Sequence, residues 1–147
     1  MSESVTLYCK NKCENLETFR KRLTLISPSE VDSGSDPGWN KVKCVTASGT
    51  VQFSRLFFIE NADRFSKMVW TTIVRIRSVA AKDAERAQEV EAFIRKTEAV
   101  IGIVADPGFD QIDKLPELIG FLAMEFDALI FNGSDFMDFR GNTIFSV

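Results

Sequence analysis

The chain has 147 residues, 45% of them hydrophobic and 27% charged, which suits one globular domain spanning residues 1–147 and argues against disorder along the whole length. It contains no histidine, which excludes Ser-His-Asp and Cys-His catalysis, imidazole general bases and histidine-ligated zinc. Its 18 basic residues are outnumbered by 21 acidic ones, so nucleic acid is not the expected partner.

The opening MSESVTLYCKNKCENLE has neither a basic start followed by an apolar run nor a small-residue cleavage site, and is not a secretory signal. No stretch reaches the roughly 18 uninterrupted apolar residues of a membrane helix, and the expectation is a cytoplasmic protein with no membrane association. Residues 5–8 read as a short strand, and Leu16, Phe19, Arg20 and Leu23 follow at helical spacing. The run SPSEVDSGSDPGWN, residues 27–40, is too rich in Ser, Asp, Pro and Gly to continue a helix or a sheet and is expected to be a surface loop. Residues 41–46 and 50–58 are β-rich and separated by Ala47-Ser48-Gly49, the pattern of a hairpin with a three-residue turn.

The middle of the chain reads as helical. After Asn61, a good cap, Ala62, Phe65, Met68, Val69, Ile73 and Ile76 recur at three- and four-residue spacing. A second amphipathic stretch covers about residues 83–97 with Ala87, Val90, Phe93 and Ile94 on its apolar side. No Gly or Pro between them decides whether these are one helix or two.

AVIGIVA, residues 99–105, has the length and branching of a central strand buried on both faces, and Asp106-Pro107-Gly108 ends it. A helix starting near Asp113 tolerates Pro116 in its first turn and carries a regular stripe of Leu115, Leu118, Ile119, Leu122, Ala123 and Phe126. Residues 128–131 form a second apolar strand, so strand, helix and strand read as a βαβ unit. Asn132-Gly133 and Arg140-Gly141-Asn142 bracket a terminal meander. The fold class expected is α+β: a mixed sheet with a βαβ unit and a C-terminal meander, covered by amphipathic helices. Its core is expected to include Phe65, Val69, Ile73, Phe93, Ile101, Ile103, Leu118, Leu122, Leu129 and Phe131.

Cys9 and Cys13 lie four residues apart, and Cys44 is the third thiol. Three thiols without an imidazole fall short of the four ligands of a structural zinc site, so they read as free cysteines, with Lys10 and Lys12 placed to lower a thiol pKa. Paired carboxylates, Asp106 with Asp110 and Asp135 with Asp138, sit where loops follow strands, the usual ligand edge of an open α/β sheet. A cation site or a carboxylate base is one reading of them, and turn-forming or helix-capping aspartates the plainer one. Charge divides unevenly. Residues 61–97 carry eight basic and five acidic groups, whereas residues 98–147 carry only Lys114 and Arg140 against nine carboxylates. A face so acidic speeds encounter with a basic partner; a solvated surface that keeps the protein soluble is the alternative.

The segments FIRKTEAVIGIVADPGFD, LPELIGFLAMEFDALIF and FMDFRGNTIF, within about residues 90–147, resemble a widespread family of uncharacterised bacterial proteins known as a domain of unknown function. Members of that kind are suspected immunity proteins that neutralise secreted toxins. The resemblance carries over no catalytic residue and implies a partner-binding role. Taken with the charge split, it leads to an expected non-enzymatic inhibitor of a basic toxin domain. Asp106, Asp110, Asp135 and Asp138 would be its acidic contacts, Phe109 and Phe136 its apolar anchors, and it would need no cofactor or metal. A regulatory or scaffolding domain of the cytosol, or a carboxylate-dependent enzyme, are the alternatives.

Overall fold

The structure is a computed structural model that describes residues 2–11, 16–34, 40–58 and 62–147. Cys13, Trp39 and Asn61 therefore lie outside the described residues. The fold is α+β, built on one eight-stranded sheet. Its strands are β1 (Glu3–Cys9), β2 (Glu30–Asp32), β3 (Lys41–Thr46), β4 (Gly49–Phe57), β5 (Ala99–Asp106), β6 (Ala128–Phe131), β7 (Asp135–Met137) and β8 (Thr143–Ser146). The spatial order is β2-β3-β4-β5-β1-β6-β7-β8.

Every ladder is antiparallel. This corrects the expected mixed sheet with its βαβ unit: β5 and β6 run in the same direction, but β1 lies between them and pairs with both, Leu7 opposite Ile101 on one side and Ile130 on the other. An antiparallel strand inserted this way satisfies the backbone groups that a parallel β5–β6 ladder would otherwise have used.

Period-two alternation along β1 sorts its side chains into two cores. Leu7 and Cys9 point to one face, with Phe53, Ile101, Ile103 and Ile130. That face is covered by α1 (Leu16–Leu23) through Phe19 and Leu23, and by α4 (Leu115–Glu125) through Leu115, Leu118, Ile119, Leu122 and Ala123. Tyr8 points to the other face, with Val100, Leu129, Phe131 and Phe136. There α2 (Ala62–Ser78) contributes Phe65, Ile73 and Ile76, and α3 (Ala84–Arg95) contributes Ala87, Val90 and Ile94. The result is three layers, with Tyr8 tying sheet to α2 through a 2.7 Å hydrogen bond between its hydroxyl and that of Thr72.

The expected core residues fall in these two clusters, with Val69 and Phe93 only partly buried at the edge of the second. β5 departs from its expected burial on both faces: Ala99, Ile101, Ile103 and Ala105 are buried, but Val104, on the other face, is 41% exposed. The α2–α3 layer does not reach that end of the sheet. Instead, a polar surface opens there, where Lys43, Gln52 and Val104 lie side by side across β3, β4 and β5.

Two loop readings need correction. Residues 27–40 were expected to hold no ladder, yet Glu30–Asp32 pairs with Val45, Cys44 and Lys43 of β3. A three-residue edge strand needs partners on one side only, and exposed Glu30 and Asp32 suit such an edge. The hairpin turn is one residue shorter than expected, because Gly49 already pairs with Thr46. The Thr46 hydroxyl fastens it, donating to the Gly49 carbonyl at 2.8 Å and accepting the Gly49 N–H at 3.2 Å.

The helical middle is two helices. A 3-10 turn at Ala80–Lys82 separates them, and Asp83 caps α3 by accepting the backbone N–H of Arg86 at 3.2 Å. Among the described residues no helix is long and apolar enough to cross a membrane.

Candidate functional site

A concavity of about 580 Å³ runs along the outer side of α4. Its floor is sheet: Val5 of β1, Ile130 of β6 and Met137 of β7, all on the α1–α4 face. One wall is α4, with Pro116, Glu117, Gly120, Phe121 and Met124. Two loops complete it, one through Phe109 and Asp110, the other through Phe139, Arg140 and Gly141.

Both loops are held by specific hydrogen bonds. The Glu3 carboxylate accepts the Phe109 N–H at 3.0 Å, pinning the first loop to the start of β1. Asp138 accepts the N–H groups of Arg140 and Asn142, each at 2.9 Å, and so shapes the second. α4 approaches that second loop so closely that a Cβ on Gly120 would stand 2.8 Å from the Phe139 carbonyl oxygen. Only a residue without a side chain allows this approach.

The chemistry of the groove is apolar with a charged rim. Phe121, Met124 and Phe139 are 41%, 48% and 42% exposed, which is unusual for three large apolar side chains around one concavity. Among the described residues its charged lining is Asp110, Glu117 and Arg140. Arg22 lies at the far end of the helix, 5.7 Å from the Phe121 ring centroid and 2.6 Å from Glu125. The side-chain set offers carboxylates, a guanidinium and aromatic faces, and no thiol or imidazole.

The six residues expected to form a binding surface do not converge. Phe109 and Asp110 line the groove, and Asp138 supports its loop through the backbone. Asp106 alternates with buried Ala105 and so belongs to the opposite sheet face, where it pairs with Thr50. Asp135 accepts the Ser146 hydroxyl at 2.6 Å, an interaction between neighbouring strands. Phe136 is fully buried, stacked on Phe131 at 4.4 Å and tilted against Tyr8 at 6.3 Å. It is a core residue and cannot be a surface anchor, because strand alternation in β7 turns it toward the α2–α3 layer. Residues the sequence reading passed over, Glu117, Phe121, Met124, Phe139 and Arg140, supply most of the groove. For the α4 residues among them a signal existed: the helix has two charged residues in eleven, more apolar than one buried stripe requires.

Neither Cys9 nor Cys44 lines the groove. Cys9 and Cys44 are buried, on strands three spacings apart, about 14 Å at ordinary sheet geometry. Burial pushes the Cys44 thiol up to about 11, the opposite of activation. Among the described residues, no group of three or more acidic or cysteine side chains stands where it could hold a metal ion.

The molecule is thus an antiparallel sheet between two helical layers, with an apolar groove beside α4. Comparison finds no matching family model, no similar curated protein and no similar solved structure, so the likeness of residues 90–147 to a bacterial family gains no support from that side.

Proposed function

We propose that this protein is a non-enzymatic protein-binding domain whose docking surface is the groove along α4. The observation that carries the reading is the exposure of Phe121, Met124 and Phe139 around a concavity ringed by Asp110 and Glu117. Aromatic and Met side chains at the centre of a patch, with charge at its rim, are the usual composition of an interface whose affinity comes from burial of a few anchors. The rim carboxylates favour a basic partner, since complementary charge raises the association rate.

The finer reading is an immunity-type inhibitor that covers a basic toxin domain. Its support is the resemblance of residues 90–147 and the surplus of carboxylates over that stretch. A toxin acting on nucleic acid carries a basic face, and an acidic inhibitor competes with phosphate for it.

The test is calorimetric binding of the wild type and three variants to the product of the adjacent gene. Phe121→Ala and the double change Asp110→Lys with Glu117→Lys should each weaken binding at least about tenfold, the scale of losing one good anchor. The affinity lost in the charge reversal should shrink at high salt. Asp106→Lys, on the other sheet face, should leave binding unchanged. Equal affinity for all four proteins would remove the groove from the mechanism.

A further inference from the structure

We propose that this protein associates with a second copy of itself head to tail, the basic face around Trp70 of one molecule seating against the acidic α4 groove of the next. The inference rests on the reading of the groove as a docking surface and names one partner for it.

The second face lies on α2, across the sheet from α4. Trp70 and Val74, one helical turn apart, are 51% and 48% exposed. Arg77 and Arg95 flank the indole, with their guanidinium carbons 5.4 Å and 6.0 Å from its centroid. Both arginines reach the single carboxylate of Glu91, Arg77 at 2.7 Å and Arg95 at 3.3 Å. Two guanidinium groups share one carboxylate, so the rim of Trp70 stays positive. Exposed Lys67, one turn before Trp70, adds to it. An ion-pair network of this kind holds both cations in place around the ring.

The two surfaces match in sign and in kind. One presents an aromatic and an aliphatic side chain within cations, the other a trough with aromatic walls and a rim on which two carboxylates outnumber Arg140. Around Trp70 stand Lys67, Arg77 and Arg95 against the one carboxylate of Glu91, whereas the groove is lined by Asp110 and Glu117 against Arg140. α2 and α4 cover opposite faces of one sheet, so a molecule cannot close this contact on itself. The contact joins unlike surfaces. It therefore leaves one of each free on every pair, and assembly continues to a ring or an open chain. With so few anchors on each side it belongs among weak interfaces, and assembly depends on concentration and falls with salt.

The experiment is analytical ultracentrifugation of the full chain from micromolar to millimolar concentration, at low and at high ionic strength. Wild type should grow in mass with concentration at low salt and lose that growth at high salt. Trp70→Glu keeps the groove, Phe121→Lys keeps the basic face, and each alone should remain monomeric. Mixed in equal amounts they should form a one-to-one complex that grows no further, a result that no contact between like surfaces produces. Circular dichroism confirms the fold, and Trp70→Ser and Phe121→Ser replace either variant that fails to fold. Wild type that stays monomeric, or a mixture that forms no complex, overturns the proposal. Trp70→Glu should still bind a basic foreign partner through the groove. Retained partner binding in a monomeric wild type therefore ends self-association alone, and loss of Phe121-dependent binding of every kind ends the groove reading.

Discussion

Among single residues, Cys44 shows how burial decides what a side chain does. Its neighbours on β3 include Lys43 and its sequence surroundings are mildly basic, which favours a thiolate in water. Its side chain instead faces the α1–α4 core opposite Val51, and desolvation holds the proton up to about 11 against an ordinary 9.0. Between those values the unfolded chain releases a proton that the folded chain keeps, so this residue's contribution to stability is complete below pH 9 and is lost as pH rises toward 11. The expected outcome is a difference in unfolding free energy between wild type and Cys44→Ala that narrows across that interval. Tyr8 is also raised by burial, but it is common to both proteins and cancels in the difference. A gap that stays constant with pH would mean that Cys44 ionises in the fold as it does in water. The candidate site is governed by the same rule. Phe136 and Phe139 are three residues apart and look alike in sequence, yet one is fully buried and the other 42% exposed. Which of them is an anchor depends on the sheet's register, which no local pattern displays.

At the scale of elements, the helices were legible because each carries an apolar stripe at helical period, and boundaries were legible where a cap or a turn residue marked them. No Gly or Pro marks the break between α2 and α3, but Asp83 carries the signal as an N-cap. Asp83→Ala should cost about 1 kcal/mol in denaturant unfolding, the usual worth of such a cap, whereas Asp83→Asn should cost little because the amide oxygen still accepts the Arg86 N–H. Equal losses in both would assign the effect to charge at the helix start, since Asn keeps the acceptor and removes only the charge. β2 escaped notice for a different reason: its three residues are exposed and polar, and its pairing comes wholly from β3. The stripe of α4 is buried as its spacing predicts, and Phe121 and Met124, which lie off that stripe, are exposed. They are what makes α4 a wall of the groove.

For the molecule as a whole, the feature hidden from the sequence is the placement of β1. Sequence order suggests that strands 99–105 and 128–131 are neighbours, because the helix between them supplies a crossover of ordinary length. Nothing near residues 3–9 says that this strand comes back to lie between them, since its partners are about ninety to one hundred and twenty residues away, Ile101 and Ile130 beside Leu7 among them. Closing such long loops costs entropy that only the finished sheet offsets, so β1 contributes little until β5 and β6 are in place. Once there it joins the two cores, Leu7 and Cys9 in one and Tyr8 in the other. A strand shared in this way makes the two layers unfold together. Leu7→Ala removes side-chain volume from the α1–α4 side only and is expected to destabilise by about 2–5 kcal/mol, as buried leucine truncations do. Trp70, on the other layer, gives an independent reporter once Trp39 is replaced by Phe. In that background, the Trp70 fluorescence transition and the far-UV circular dichroism transition should coincide before and after Leu7→Ala, and both should move by the same free energy. A fluorescence midpoint that stays in place while the dichroism midpoint shifts would show that the α2–α3 layer holds the sheet without the other, and that β1 does not couple them.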